Sequence, residues 1–323
     1  MSLLALALSL SALWGDLESG PYRVGFEQVE SFDHSRPFRL TEETRARPIT
    51  MSIWYPAESS ESSAAVTFGR YVDGADGREA FTRRLVTYGF SLSMAELEAL
   101  FFSPTAAREK ARRASGRFPL ILFGTALTGP FYLNTVLCEY LASHGYVVVA
   151  IPSLPARDDV EAGYDLWAID AQMRDMEFVI QEMHDYPEMA ELGERSLGLV
   201  AWSLGGAAQA VLSMKNPDVG AVVSLDAATG YAYGEKLLEK SLFFEPSRAT
   251  ASFLHATDSR ESAEVPKSFR YFDDIVRGPS FLLTLEGATH AEFTSIGTLV
   301  PRSVVSGDEA GAGARRYQIL CRY

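Results

Sequence analysis

Short, strongly apolar segments alternate along the chain with longer segments in which apolar residues recur every three or four positions. Near-continuous apolar character is typical of strands that are buried on both faces of a parallel sheet. On this basis we predict strands at residues 48–55, 118–124, 146–151, 196–202, 221–225, 251–256 and 280–285. Residues 48–55 alternate in polarity, so we predict that this first strand is antiparallel.

The longer segments predict amphipathic helices between the strands, at residues 133–143, 165–184 and 204–215. Strands that alternate with helices are the pattern of an α/β fold with a mostly parallel central sheet and helices on both faces. The chain has 323 residues, which one such domain with insertions can accommodate. We therefore expect a single domain over residues 21–323.

Two segments interrupt this alternation. Residues 57–116 begin with a serine-rich linker and contain two further predicted helices, 93–102 and 105–115, while residues 231–248 carry several leucines and phenylalanines. Insertions above the carboxyl ends of strands commonly line substrate pockets, so both are candidate helical caps. For the first, peripheral helices that merely complete the core are an equal alternative.

The two ends of the chain lie outside this pattern. Residues 1–14 are almost wholly apolar or small, which is typical of a secretory signal peptide but too short for a transmembrane helix. Residues 1–20 therefore form either a signal peptide, which predicts a secreted or periplasmic protein, or a frayed N-terminus of a cytoplasmic one. Residues 314–323 begin as a helix and stop, so we expect the native protein to continue and its last packing helix to be truncated.

Composition and charge exclude several functional classes. With 29 basic against 42 acidic residues, the net charge is −13, which argues against a nucleic-acid partner and against electrostatic docking on anionic lipid. The two cysteines, Cys138 and Cys321, form no disulfide framework or metal motif. The five histidines lack the spacing of a zinc-binding helix. We therefore expect no metal and no cofactor.

The segment 198–206 (GLVAWSLGG) carries the strongest chemical signal. An apolar strand turns there through Ser203 directly into a helix, which is typical of a nucleophile elbow whose serine hydroxyl projects above the sheet. Small residues are required two positions to either side. Gly205 meets this requirement, and Ala201 stands where the pattern G-x-S-x-G has its first glycine. The backbone N–H of Leu204 is then the first candidate donor to an oxyanion.

A serine nucleophile needs a histidine to take its proton, and the histidine needs a carboxylate to orient it. In this architecture the chain order is nucleophile, acid, histidine. Asp226 ends the strand that follows Ser203, and His290 lies just beyond the last predicted strand, so the three should meet at one edge of the sheet. Asp258 is the competing acid, and the structural alternatives are a turn or capping role for Asp226 and an ordinary loop position for His290.

The loop that follows the strand 118–124 is the candidate source of the second oxyanion donor. It reads GTALTG over residues 124–129, and its small residues let the backbone approach a substrate carbonyl. We choose the N–H of Leu127 as this donor. A plain glycine-rich turn is the alternative.

Taken together, these residues resemble the α/β-hydrolases, and within them the esterases that are similar to platelet-activating-factor acetylhydrolase and dienelactone hydrolase. The resemblance extends from residue 20 to residue 301. It is carried by Tyr22-Arg23-Val24-Gly25, Arg47-Pro48, Trp54-Tyr55-Pro56, residues 141–146 (LASHGY), the Ser203 elbow, Leu225-Asp226 and Gly287-Ala288-Thr289-His290.

The resemblance implies an α/β-hydrolase fold with cap insertions and a triad of Ser203, Asp226 and His290. The acetylhydrolase-like branch keeps its acid after the strand that follows the nucleophile helix, which favours Asp226 over Asp258. Thr125 departs from the family, because a His-Gly pair is common at that place in the oxyanion loop. Dienelactone hydrolases proper use a cysteine nucleophile, so the serine in this chain argues against that activity.

The expected function is hydrolysis of short-chain or lipid-like carboxylic esters through an acyl-enzyme at Ser203, without a cofactor. The alternatives are a cutinase-like or lipase-like hydrolase of polyesters or triglycerides, a thioesterase, and a non-catalytic binding protein of the same fold. The expected partner is a small-molecule or lipid-like ester, with no nucleic acid and no stable membrane insertion. The sequence leaves the oligomeric state open.

Overall fold

The computed structural model describes residues 12–39, 44–59, 63–127, 129–154, 164–185, 190–259, 265–299 and 312–323. Its strands form one mixed ten-stranded sheet. They are β1 (Arg23–Arg39), β2 (Thr44–Ala57), β3 (Ala65–Thr67), β4 (Pro104–Glu109), β5 (Leu120–Gly124), β6 (Val147–Ile151), β7 (Leu197–Trp202), β8 (Val219–Leu225), β9 (Ser252–Asp258) and β10 (Ser280–Leu285). Their spatial order is β10-β9-β8-β7-β5-β6-β2-β1-β4-β3.

Helices lie between the strands, and they include those that the apolar spacing predicts at residues 133–143, 165–184 and 204–215. They are α1 (Phe68–Asp73), α2 (Gly77–Thr87), α3 (Met94–Phe102), α4 (Thr135–Ser143), α5 (Leu166–His184), α6 (Gly205–Lys215), α7 (Ala232–Leu238), α8 (Ile296–Leu299) and α9 (Ala312–Arg322). Strands β5 to β10 are all parallel to one another, so their carboxyl ends form one edge. The predicted α/β fold with a mostly parallel sheet is confirmed.

Neighbouring residues of the central strands face two different cores. In β5, Leu120 and Leu122 belong to a buried cluster that includes residues of α5 and α6, while Ile121 and Phe123 belong to a cluster that includes residues of α4 and α9. Because side chains alternate between the faces of a strand, a strand covered on both faces is apolar at every position. This is the reason that the strands could be found from apolar runs alone.

All seven predicted strands and the three predicted core helices are present. The first predicted strand lies within β2, which is antiparallel to both β1 and β6, as predicted. Asp165, the first residue of the predicted helix 165–184, is the N-cap of α5, and its carboxylate accepts a hydrogen bond from the Ala168 N–H at 2.9 Å.

The helix predicted at residues 105–115 is wrong, because β4 occupies Pro104–Glu109. The segment is rich in alanine, arginine and glutamate, which all favour a helix. Pairing overrides that preference, since Ala107 is fully buried next to Val24 of β1 in a parallel ladder. Propensity is a weak prior where tertiary contacts compete with it.

β1 is a strand that the apolar pattern did not reveal. It spans Arg23–Arg39 and pairs with β2 along most of its length, with an irregularity between Asp33 and Pro37. Its sequence carries charged residues throughout, because much of the strand is only partly buried. Together with β3 and β4, it extends the sheet beyond the parallel core.

The segment 12–20 packs on the domain rather than fraying. Leu13, Trp14 and Leu17 are buried in the core cluster that also contains α4 residues, and the Trp14 Nε1–H donates to Glu139 Oε2 at 2.7 Å. The ordered domain therefore begins before residue 21. Residues 1–11 lie outside the described residues, so export stays a prediction.

The last part of the chain forms α9, which confirms the helix expected at its end. Tyr317, Leu320 and Cys321 are buried, and the Tyr317 hydroxyl donates to Asn134 Oδ1 at 3.0 Å. Truncation of a last helix stays a prediction. Within the described ranges, no helix is both long and apolar enough to span a membrane.

Candidate active site

Ser203 occupies a sharp turn between β7 and α6 at the carboxyl edge of the sheet. Its φ of 60° lies in the left-handed region, as expected for the strained turn of a nucleophile elbow. A Cβ on Gly205 would lie 2.6 Å from the Thr125 carbonyl oxygen, and one on Gly206 would lie 2.3 Å from the Ala227 Cβ. Only glycine therefore lets α6 start this close to the neighbouring strands.

Ala201 fits at the position where the family pattern has a glycine. It is fully buried and lies opposite Gly124 of β5 in the parallel ladder. A Cβ on Gly124 would come within 3.1 Å of the Ala201 methyl group. The glycine on the neighbouring strand thus provides the space that the alanine methyl group occupies.

Asp226 lies directly after β8, with a φ of 42° and only 1% of its surface exposed. Its Oδ2 is 2.6 Å from His290 Nδ1. Its Oδ1 accepts hydrogen bonds from the Tyr231 hydroxyl at 2.7 Å and the Thr257 hydroxyl at 3.2 Å. The structure therefore brings the predicted acid and the predicted base into direct contact.

These contacts keep the Asp226 carboxyl ionised. Burial opposes its ionisation, but the hydrogen bond and charge of His290 and the hydrogen bond from Tyr231 outweigh burial, so the pKa of Asp226 lies below its ordinary value. A carboxylate next to Nδ1 favours the histidine tautomer with its hydrogen on that nitrogen. Nε2 of His290 is then the nitrogen that can accept a proton.

His290 begins a single 3₁₀ turn (His290–Phe293) after β10, whose capping box joins Thr289 and Glu292. Its ring stacks on Trp202, with centroids 4.8 Å apart and planes inclined by 28°. The Trp202 indole N–H also donates to the His290 carbonyl oxygen at 3.1 Å. The tryptophan that precedes Ser203 therefore supports the histidine from one side.

Asp258, the competing acid, has a different partner. Its Oδ1 is 2.6 Å from Lys267 Nζ, and both side chains are largely buried. His290 instead contacts Asp226 and Trp202. The geometry therefore favours Asp226 as the residue that orients the histidine.

The two candidate oxyanion donors belong to two different segments, the start of α6 and the loop after β5. Leu204 follows Ser203 and immediately precedes α6. Leu127 lies two residues after Thr125, whose carbonyl oxygen abuts Gly205. Thr125 is anchored by its hydroxyl, which donates to the Ile151 carbonyl at 3.2 Å, and by its carbonyl, which accepts from Gln172 Nε2 at 2.7 Å. The role of both amides stays a prediction.

A cavity of about 960 Å³ opens above these residues. Its lining comprises Tyr164, Ser203, Asp226, Tyr231, Tyr233, Lys236, Leu237, Lys240, Asp258, Val265, Pro266, Lys267 and His290. The second predicted cap, residues 231–248, thus contributes five lining residues through α7 and its flanks. The cavity has the size of a pocket for a drug-sized ligand.

Among its described residues, the first predicted cap contributes none to this cavity lining. These residues form α1 to α3 and the strands β3 and β4, and the two strands lie at the end of the sheet opposite to β10. The Tyr88 ring, after α2, lies 6.3 Å from that of Trp202. The alternative of peripheral elements that complete the core is therefore the better description, because these residues bury their apolar side chains in the core instead.

Sequence analysis missed Tyr231 and Thr257 as partners of Asp226. Tyr231 was included only in the cap range, and its position five residues after Asp226 was the available signal. Thr257 comes from the end of the next strand, β9, and no local pattern identifies it. Both belong to the site because parallel neighbours end at the same edge.

His255 lies in β9, beside the site but outside the cavity lining. It is fully buried, and its Nδ1 is 2.9 Å from Ser224 Oγ. Burial lowers the pKa of His255 to about 4. Among the described residues, no group of three or more histidine, cysteine, aspartate or glutamate side chains is arranged to hold a metal ion.

Comparisons with known proteins agree with this architecture. Residues 16–160 match the family model described as platelet-activating factor acetylhydrolase, isoform II. The matched segment is less than half of the chain and ends before Ser203, so it does not contain the candidate triad. No protein of curated function matches the sequence.

Three solved structures are similar to the chain. A ferulic acid esterase from Streptomyces cinnamoneus aligns with a TM-score of 0.65 and 19% identity over 95% of this chain and 90% of that one. An acylaminoacyl peptidase aligns with a TM-score of 0.50 and 12% identity over 99% of this chain and 43% of that one. A dienelactone hydrolase from Anabaena variabilis aligns with a TM-score of 0.47 and 12% identity over 92% of this chain and 96% of that one.

At this level of identity, the esterase and peptidase structures establish the fold and leave the substrate open. The sheet topology, the turn at Ser203 and the contact between Asp226 and His290 agree with that fold. The chain therefore has the α/β-hydrolase fold, and its residues 16–160 are similar to platelet-activating factor acetylhydrolase, isoform II.

Proposed function

We propose that this protein is a serine hydrolase of carboxylic esters that works through an acyl-enzyme. The observation that carries the proposal is the 2.6 Å contact between His290 Nδ1 and Asp226 Oδ2, in a cavity that Ser203 also lines. An oriented histidine that shares a cavity with a serine on a strained turn is the arrangement that activates a hydroxyl nucleophile.

In the acylation half-reaction, Ser203 Oγ attacks the ester carbonyl carbon while His290 Nε2 takes the hydroxyl proton. Asp226 keeps the histidine in the required tautomer and stabilises the imidazolium that forms. The tetrahedral intermediate then breaks its bond to the alcohol oxygen. His290 returns the proton to that oxygen, and the alcohol leaves.

The negative charge on the carbonyl oxygen needs donors that are already in place. The backbone N–H groups of Leu204 and Leu127 take this role in the proposal, because one follows the nucleophile and the other lies in the loop that abuts α6. A single oxyanion donor typically contributes a factor of about 10² to 10³ in kcat. In the deacylation half-reaction, His290 activates a water molecule that attacks the acyl-enzyme, and the carboxylic acid is released.

The cavity lining supports esters of moderate size. Tyrosines and the apolar residues Leu237, Val265 and Pro266 line the cavity together with the reacting groups, and residues of α7 form part of its wall. A polyester or triglyceride hydrolase would be expected to have an open, uncapped site instead. The ferulic acid esterase and the acetylhydrolase family named above are described as acting on esters, which agrees with this proposal.

The test is labelling with a fluorophosphonate probe, followed by a series of p-nitrophenyl esters from acetate to laurate. We expect the wild type to be labelled and to hydrolyse the shorter esters. Ser203→Ala should abolish labelling and lower kcat by about 10⁶-fold, while Ser252→Ala, at the start of β9, should match the wild type.

Three results would contradict the proposal or part of it. Absence of labelling in a folded sample would support the non-catalytic binding protein. Labelling that persists in Ser203→Ala would place the nucleophile elsewhere. A rate that rises steadily toward laurate would support a lipase-like enzyme rather than a short-chain esterase.

A further inference from the structure

Three of the five lysines of the chain line the cavity above Ser203. They are Lys236, Lys240 and Lys267. This concentration is notable because the whole chain carries a net charge of −13. The other two lysines, Lys110 and Lys215, do not line the cavity, and Lys215 is paired with Glu177 at 2.7 Å.

Most of the charges around the cavity are already compensated. Lys267 forms an ion pair with Asp258, and Asp226 is held by His290. Of the three acidic residues in the second predicted cap, residues 231–248, Glu235 accepts a hydrogen bond from the Tyr271 N–H at 3.0 Å, and Glu245 is paired with Arg248 at 3.5 Å. The other acid, Glu239, is paired with Arg270.

Lys236 and Lys240 differ from these groups. Neither makes an ion pair with a carboxylate of the described residues. Both are exposed, and they lie four positions apart across the end of α7, a spacing at which like charges repel. An anionic group bound in the cavity would relieve this repulsion.

Aromatic rings form the wall next to these lysines. The Tyr231 and Tyr233 rings are stacked with centroids 5.9 Å apart, and the Tyr164 ring meets Tyr233 edge-on at 6.0 Å. Flat aromatic or apolar bodies pack favourably on such rings. The cavity thus combines a candidate nucleophile, an aromatic wall and two cationic groups that form no ion pair within the described part of the chain.

From this arrangement, we propose that the preferred substrates are esters that carry a second, anionic group, such as a carboxylate, on an aromatic or apolar body. The ester lies at Ser203 and the anionic group lies at Lys236 and Lys240. This inference rests on the proposed function and adds the charge of the substrate to it. An exposed ion pair contributes a factor of about three to kcat/KM, so two ion pairs should give the anionic ester an advantage of about tenfold in kcat/KM.

The test compares matched anionic and neutral esters. On the acyl side, the pair is the p-nitrophenyl monoester of glutaric acid and its methyl ester. On the alcohol side, the pair is 4-carboxyphenyl acetate and its methyl ester. For each pair, the ratio of kcat/KM for the anionic ester to that for the neutral ester is measured in the wild type and in the double variant Lys236→Met, Lys240→Met.

We expect the ratio in at least one pair to fall about tenfold in the double variant, and to fall in the wild type as the salt concentration rises. The double variant Lys236→Arg, Lys240→Arg should keep the ratio, because it keeps the charge. Lys110→Met makes the same chemical change outside the cavity and should also keep it.

Equal ratios in the wild type and the Met variant, for both pairs, would overturn the inference while the proposed function stands. Failure of the wild type to hydrolyse the neutral esters in a Ser203-dependent way would instead refute the proposed function, and the inference with it.

Discussion

Replacing Asp226 by asparagine tests the assignment of the acid most directly. The carboxylate is almost fully buried, and its Oδ2 is 2.6 Å from His290 Nδ1. An asparagine NH₂ group at that place cannot accept the Nδ1 hydrogen, so His290 would adopt the other tautomer with its hydrogen on Nε2. In that state it cannot take the proton of Ser203.

The expected loss of kcat is large because the tautomer with its hydrogen on Nε2 becomes the stable form of His290. Loss of a triad acid in this way lowers kcat by about 10⁴-fold, which corresponds to about 5.4 kcal/mol at 1.36 kcal/mol per factor of ten. The fold should survive, since asparagine can still accept the hydrogen bond from Tyr231. The assay is kcat for p-nitrophenyl acetate, with thermal unfolding as the check on folding.

Asp258→Asn is the matched control. It removes the charge that compensates Lys267, and breaking a buried ion pair costs about 3 kcal/mol of stability. The melting temperature should therefore fall, whereas kcat should change by less than about threefold because the His290 contact is untouched. A large loss of kcat in Asp258→Asn together with a mild effect in Asp226→Asn would refute the reasoning and move the acid to β9.

Three further predictions concern groups around the site. Tyr231→Phe removes a hydrogen-bond donor to the Asp226 carboxylate, so the pKa of Asp226 should rise. We expect kcat to fall about tenfold, which is the effect of one charge-assisted hydrogen bond. An unchanged kcat would exclude a positioning role for Tyr231. Gly205→Ala places a methyl group 2.6 Å from the Thr125 carbonyl oxygen, so it should lower both the melting temperature and fluorophosphonate labelling. A stable, fully labelled variant would contradict the close approach of Gly205 to Thr125. Burial lowers the pKa of His255 to about 4, so the unfolded state binds a proton before the folded state does as the pH falls below 6.5. Urea unfolding should therefore show about 2 kcal/mol less stability at pH 5 than at pH 7, and His255→Asn should lose that difference.

Local rules account for the parts of the fold that could be predicted. Strands such as β5 and β6 are apolar at every position because both of their faces are covered, and α5 shows its buried stripe and its Asp165 cap. The elbow at Ser203 was found because a strained turn restricts the residues on either side. Where local preference and pairing disagreed, as at Pro104–Glu109, the local preference predicted the wrong element.

The sequence by itself determined the α/β class, the strands β5 to β10 and the candidates Ser203 and His290, because each depends on periodicity or on residues that are close in the chain. Only the tertiary structure distinguishes Asp226 from Asp258, since both lie at the carboxyl end of a strand and their partners, His290 and Lys267, are different. It also decided that α7, and not the longer first insertion, lines the cavity. Such contacts join residues distant in sequence, and their geometry is set by how the strands and helices pack rather than by any local pattern.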